Sequence, residues 1–231
     1  MLFRSSVRAA RRAVAAAPDA TARPSPWRDL KEGLAYVWHT PFLRLLMFLA
    51  FMLNVTSFPL TYSLLPYVAK EVYHAGQTGL GYMVASVGAG ALVGAAVLSR
   101  YGSFIRPGRM MMIASAAWYA ALLALAQTPH LAAGIPVLVL VGWMQATSQV
   151  PMAALLLRTA DERYRGRVMG MRMLAIYGNI PGLLLSAPLI AHFGYSVTAT
   201  LYCAIGLAFV LLIAVRWRAH FWRLEAPANT R

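Results

Sequence analysis

The sequence predicts an all-α membrane protein whose six transmembrane helices form a 3+3 inverted repeat. Three observations predict it. The chain is 60% hydrophobic and only 12% charged, with a mean hydropathy of +0.59. Six stretches are long enough to cross a hydrocarbon core of about 30 Å, which takes about 20 residues each. One pattern of small residues recurs in two of those stretches with opposite topology.

Composition also sets aside other classes. A net charge of +14 over 231 residues invites a nucleic-acid reading, and ADERYRGRVMGMR (160–172), with Arg158 before it, gathers five arginines. A soluble nucleic-acid binder would carry many more polar residues beside its basic ones. Here the basic residues sit at the ends of apolar spans, as in membrane proteins, so no nucleic-acid partner is expected. The length leaves no room for a large additional soluble domain. Cys203 is the single cysteine and lies in an apolar stretch, which excludes a disulfide framework or a Cys-based metal site.

The elements follow in order. Residues 1–26 form a basic arm and linker. Within it, Arg4, Arg8, Arg11 and Arg12 share one helical face and Phe3, Val7 and Val14 the other, with no acid before Asp19. That pattern resembles a mitochondrial presequence; the plainer reading, adopted here, is a cytoplasmic arm lying near anionic lipid. PDATARPSP (18–26) is the linker. In 27–41, Trp27, Leu30, Leu34, Val37 and Trp38 recur at helical spacing opposite Arg28, Lys31 and Glu32, which predicts an interfacial amphipathic helix. Pro41 marks a bend.

The six-helix bundle occupies 42–215, with spans at 42–65, 80–98, 110–126, 132–157, 168–191 and 197–215. The third is short, and the fourth and fifth are long enough to tilt. Pro59, Pro136, Pro151, Pro181 and Pro188 are tolerated because bundled membrane helices re-satisfy freed backbone groups. Residues 216–231 form the tail. Six spans put both termini on one side, and every lysine and arginine except Lys70 then falls on that side. The asymmetry makes it cytoplasmic.

The repeat is read from spacing. Ser86, Gly90, Gly94 and Gly102 are separated by four, four and eight residues, and Gly178, Gly182, Ser186 and Gly194 by the same. Leu98-Ser-Arg-Tyr-Gly102 also matches Ile190-Ala-His-Phe-Gly194 in kind. Each run lies second in its triplet of spans, and small residues every fourth position let helices approach closely.

WRDLKEGLAYVWHTPFLR (27–44), LLPYVAKEVYHAGQTGLGYMVASVGAGALVG (64–94) and DERYRGRVMGM (161–171) carry a family resemblance. The chain resembles the C-terminal half, spans seven to twelve, of a major facilitator superfamily transporter, in the branch of enterobactin-exporter-like bacterial drug and siderophore exporters. The resemblance implies efflux of small amphipathic molecules by alternating access across the bacterial inner membrane. It also implies a second six-helix bundle, either a copy of this chain or a separate N-terminal half, because nothing before Trp27 could form six spans. One loop departs from the pattern: between the second and third spans, Arg100 and Gly102 are present but the family's aspartate is not. A truncated or accessory membrane protein without transport of its own is the alternative.

The candidate residues follow. No Asp, Glu, Lys or Arg lies mid-span, so a proton relay, which such a residue would mark, is not placed in this half. Asn54 and Tyr62 of the first span, Gln145 and Gln149 of the fourth and Asn179 of the fifth are candidates for a substrate pathway. The resemblance places these spans beside it. The competing reading is interhelical hydrogen bonding, worth about 0.6 kcal/mol each. Gln145 and Gln149 share a face at i,i+4.

Arg100, Gly102, Arg163, Arg165, Gly166 and Arg167 are candidates for a cytoplasmic gate latch, or for topological anchoring alone. Thr159 and Glu162 fit a capping box that would start a short helix, and Gly166 would allow close backbone approach. Met110, Met111 and Met112 point in different directions on a helix and cannot converge on one ion. The five histidines lie at span ends on both sides. No metal, cofactor or enzymatic site is therefore expected.

Overall fold

The computed structural model describes residues 26–102 and 106–217. The basic arm with its presequence-like stretch and most of the tail lie outside the described residues. Helix α1 runs Pro26–His39. Thr40 is extended and Pro41 opens helix α2, Pro41–Phe58, at the first helical position, where proline loses no hydrogen bond.

The first span is longer than its apolar core suggests. Helix α2 continues through π-helical turns at Pro59–Ser63 and Val68–Val72, so the helical rod extends over Pro41–Val72 rather than 42–65. Pro59 and Pro66 donate no backbone hydrogen bond, and the ladder widens near them. Leu64 N–H reaches the Pro59 carbonyl and Tyr73 N–H the Val68 carbonyl, each five residues back, which is π geometry.

Helix α3 is Gly76–Tyr101, α4 is Pro107–Ala126 and α5 is Leu131–Thr159. Helix α6, Arg165–Ala175, passes through a short 3-10 turn, Ile176–Gly178, into α7, Asn179–Arg216. Five helical rods among the described residues are long and apolar enough to cross a membrane, the last being Glu162–Arg216.

That last rod is folded in two. Gly194 has φ 79° and ψ 168°, a region only glycine enters readily. The Tyr202 hydroxyl donates to the Gly182 carbonyl at 2.6 Å. In a straight helix those residues would stand about 30 Å apart at 1.5 Å per residue. The limbs 179–193 and 195–216 therefore lie side by side, which divides the five rods of the described residues into six apolar limbs. The sequence reading placed a turn over 192–196; one glycine suffices.

Helix pairing follows the two triplets. A Cβ at Gly90 of α3 would overlap the Val139 carbonyl of α5, and one at Gly142 of α5 would overlap the Val87 carbonyl of α3. Gly94 of α3 sits against Trp143 of α5. In the other half, Gly182 lies against the Val55 carbonyl of α2 and Gly178 against Phe51. The second span of each triplet thus crosses the first span of the other. Ser86 and Ser186 are buried but bond carbonyls of their own helices, Tyr82 and Leu183. The last pair of the repeat departs from the symmetry, since Gly102 is helical at φ −63° while Gly194 is not.

Helix α4 fills the centre. Trp118, Tyr119 and Leu122 are buried there with Leu46 and Leu53 of α2 and Val141 of α5. Two polar bonds stitch it in: Tyr119 to Thr56 at 2.6 Å and Ser115 to Ser148 at 2.7 Å. Met111 and Met112 are buried and Met110 only partly so. Outside, large apolar side chains such as Leu92, Leu184, Leu212 and Val215 are exposed, as a lipid-facing surface requires.

Candidate functional site

Three polar links tie spans one, four and five together. The Tyr62 hydroxyl donates to Gln145 Oε1 at 2.8 Å. One residue on, Asn179 Nδ2 donates to Ser63 Oγ at 3.1 Å. The Arg172 guanidinium reaches Gln149 through both its side-chain Oε1, at 3.1 Å, and its backbone carbonyl, at 3.4 Å. Gln145 and Gln149 lie one turn apart on α5, so the links are neighbours along a single face.

This face is open. Tyr62 is 45% exposed. Gln145 itself is buried, so Tyr62 presents the polar end of the pair. Four of the five pathway candidates therefore belong to this region. Asn54 does not: it is buried, and its Nδ2 bonds the Ala50 carbonyl of its own helix at 2.8 Å, leaving Oδ1 without a partner.

Sequence reasoning missed Ser63 and Arg172. Arg172 was counted with the loop charges, although it falls inside the stretch 168–191. A cation five residues into an apolar span was the signal that could have found it.

The arginine-rich junction is held by α1. Tyr36 stacks on Tyr164 with ring centroids 4.2 Å apart and planes within 5°. The Asp161 backbone N–H donates to the Tyr36 hydroxyl at 3.1 Å. Arg167 pairs with Glu32 at 2.9 Å and lies over the Tyr164 ring. Arg165 donates to the Leu157 carbonyl at the end of α5 and pairs with Glu162. Arg163 also lies over the Tyr164 ring, 5.9 Å from its centroid.

Two local expectations are corrected here. Thr159 is the last residue of α5, not a cap; Leu156 already binds the Ala160 N–H, and the next turn begins after Asp161 with no side-chain cap. Gly166 makes no close approach, since a Cβ there would meet nothing within 4 Å. The close approach is at Gly33 of α1, whose Cβ would touch that of Arg167 at 3.1 Å. Arg100 is exposed near the end of α3 and Gly102 follows that helix.

Beyond the far end of the first span, the Tyr73 hydroxyl is bonded to Thr128. Burial raises that phenol above its ordinary value, and the hydrogen bond opposes the shift.

A family model described as transmembrane secretion effector, of the major facilitator type, matches residues 7–229. The chain belongs to this family. It is a multi-pass membrane protein of transporter type and not an enzyme. Among similar proteins are an enterobactin exporter of Citrobacter koseri, 24% identical over 91% of this chain and 50% of its own length, and one of Escherichia coli O1:K1, 23% identical over 78% and 42%. A multidrug efflux pump, Tap, of Mycolicibacterium fortuitum is 29% identical over 78% and 43%. The chain thus spans about half the length of the curated relatives it matches. No solved structure matches it.

Proposed function

We propose that this chain is one six-helix bundle of an exporter for small amphipathic molecules, working by alternating access with a second bundle. The observation that carries the reading is the polar face on spans one, four and five, where Tyr62–Gln145, Ser63–Asn179 and Arg172–Gln149 lie together with Tyr62 exposed. Interhelical bonding alone would suit buried partners; an exposed polar group on such a face suits a border with water or a substrate. Relatives named as exporters and an efflux pump, and the half-length match, support the same assignment. In a rocking-bundle mechanism such a face is covered by the second bundle, and the substrate sits between them.

The second bundle is a copy of this chain or a separate N-terminal half. It would also bring any proton-linked acid. The positive-inside distribution puts both termini in the cytoplasm, and α1 then lies at that interface. The clamp formed by Tyr36, Tyr164, Glu32 and Arg167 holds α1 to the junction, so the gate latch assigned to the arginines runs through α1.

The test is ethidium efflux in a strain stripped of its own pumps, with the chain expressed alone and together with a six-span N-terminal partner. Efflux in either arm, lost on replacing Tyr62 by Phe and Gln145 by Leu together, is expected. No efflux in either arm, with the protein folded in the membrane, sinks the reading and favours an accessory bundle.

A further inference from the structure

Arg172 is a cation set within the bundle with no anion beside it among the described residues. It lies seven residues beyond Arg165, about 10 Å deeper along the helix at 1.5 Å per residue. Its partner Gln149 lies about 14 Å inside the Arg158 end of α5 by the same measure. Only Nη2 of the guanidinium is bonded, to two neutral oxygens of Gln149. The rest of the five-donor fork has no acceptor among the described residues.

Among the described residues, Glu32, Glu71 and Glu162 pair with Arg167, Lys70 and Arg165, and no carboxylate reaches Arg172. Gln149 adds a second unmatched donor, since its buried Nε2 has no partner. Two donors, one of them charged, therefore converge with nothing to accept from them. A partly desolvated cation without a counter-ion is costly to keep, and polar groups inside a membrane bundle mark what passes through it.

We propose that Arg172 and the Gln149 amide form an anion-binding subsite at the end of the polar face, and that it selects amphipathic molecules bearing a carboxylate or similar oxyanion. The planar guanidinium fork suits such a group. One turn along α5, Gln145 and the exposed Tyr62 meet the neutral part of the molecule. The proposal rests on the reading of this face as a substrate pathway.

The test uses the full chain in nanodiscs of phosphatidylcholine, titrated with dansylglycine and dansylcadaverine, which carry one fluorophore with opposite charges. Empty discs are subtracted. The wild-type chain is expected to bind dansylglycine about tenfold more tightly, the effect of one hydrogen bond to a charged group. Arg172→Gln should remove the preference by weakening dansylglycine alone, and Arg172→Lys should keep part of it. Gln149→Glu leaves the guanidinium in place but neutralises it, and should also abolish the preference.

Tyr62→Ala should weaken both probes alike. Equal binding of the two probes, or a preference that survives in both Arg172→Gln and Gln149→Glu, overturns the anion subsite; if Tyr62→Ala still weakens both probes, the pathway reading stands. Binding of neither probe, or no effect of Tyr62→Ala, removes the pathway reading and the subsite with it.

Discussion

Glu32 and Arg167 face each other across the junction at 2.9 Å, with their side chains 39% and 22% exposed. Partial exposure screens the pair, so a double-mutant cycle with Glu32→Gln and Arg167→Gln should give a coupling of about 1 kcal/mol or less. The Tyr36–Tyr164 stack contributes a comparable amount, about 0.5–1.5 kcal/mol beyond its buried area. Tyr164→Ala is therefore expected to speed amide exchange across Pro26–His39 while the amides of α4 keep their protection. Hydrogen exchange followed by mass spectrometry checks this, and unchanged exchange in α1 would show that the stack does not hold it. The arginine run was visible in the sequence, but its partners were not. Tyr36 and Glu32 precede the first span and Tyr164 follows the fourth, and spacing carries no information about which distant helix a side chain meets. Arg172 was misplaced for a related reason: charge at a span end reads as topology until its hydrogen bonds show how far inward it reaches.

At the level of helices, α3 and α5 cross in close backbone contact. Gly90 and Gly142 each set bare backbone against the other helix's carbonyls, where no rotamer change can make room. Gly90→Ala and Gly142→Ala should each cost about 1–3 kcal/mol by overpacking. Gly182→Ala, against Val55, should behave alike. Gly178→Ala meets the Phe51 ring, which has some freedom to move, and should cost less. Gly166→Ala and Gly170→Ala, in open space, should be neutral or slightly stabilising through helix propensity. The folded fraction in detergent on graded denaturation with sodium dodecyl sulfate ranks the set; a severe Gly166→Ala beside a silent Gly90→Ala would contradict the packing described. Small residues four apart were legible because close helix approach requires them. The π turns that carry the first span on to Val72 were not, because hydropathy ends where Lys70 and Glu71 begin although the hydrogen-bond ladder continues.

For the whole molecule, orientation is the open experimental question, and Cys203 makes it easy to ask. It is the single cysteine, 2% exposed, so the unaltered chain should stay dark to maleimide. With a new cysteine in place of Lys70, whose side chain is 82% exposed, a membrane-impermeant maleimide should label intact cells. One in place of Arg163 should react only after the membrane is opened. The reverse pattern would turn the molecule over. The span count was readable because apolar length and charge asymmetry are properties of the chain itself. How the fifth and sixth spans join was readable only as a glycine, and its conformation shows what that glycine does. With one residue between limbs 179–193 and 195–216, no loop exists in which either limb could wait. Once both limbs are helical, neither can shift or tilt without carrying the other. The last two limbs of the bundle therefore act as one rigid hairpin.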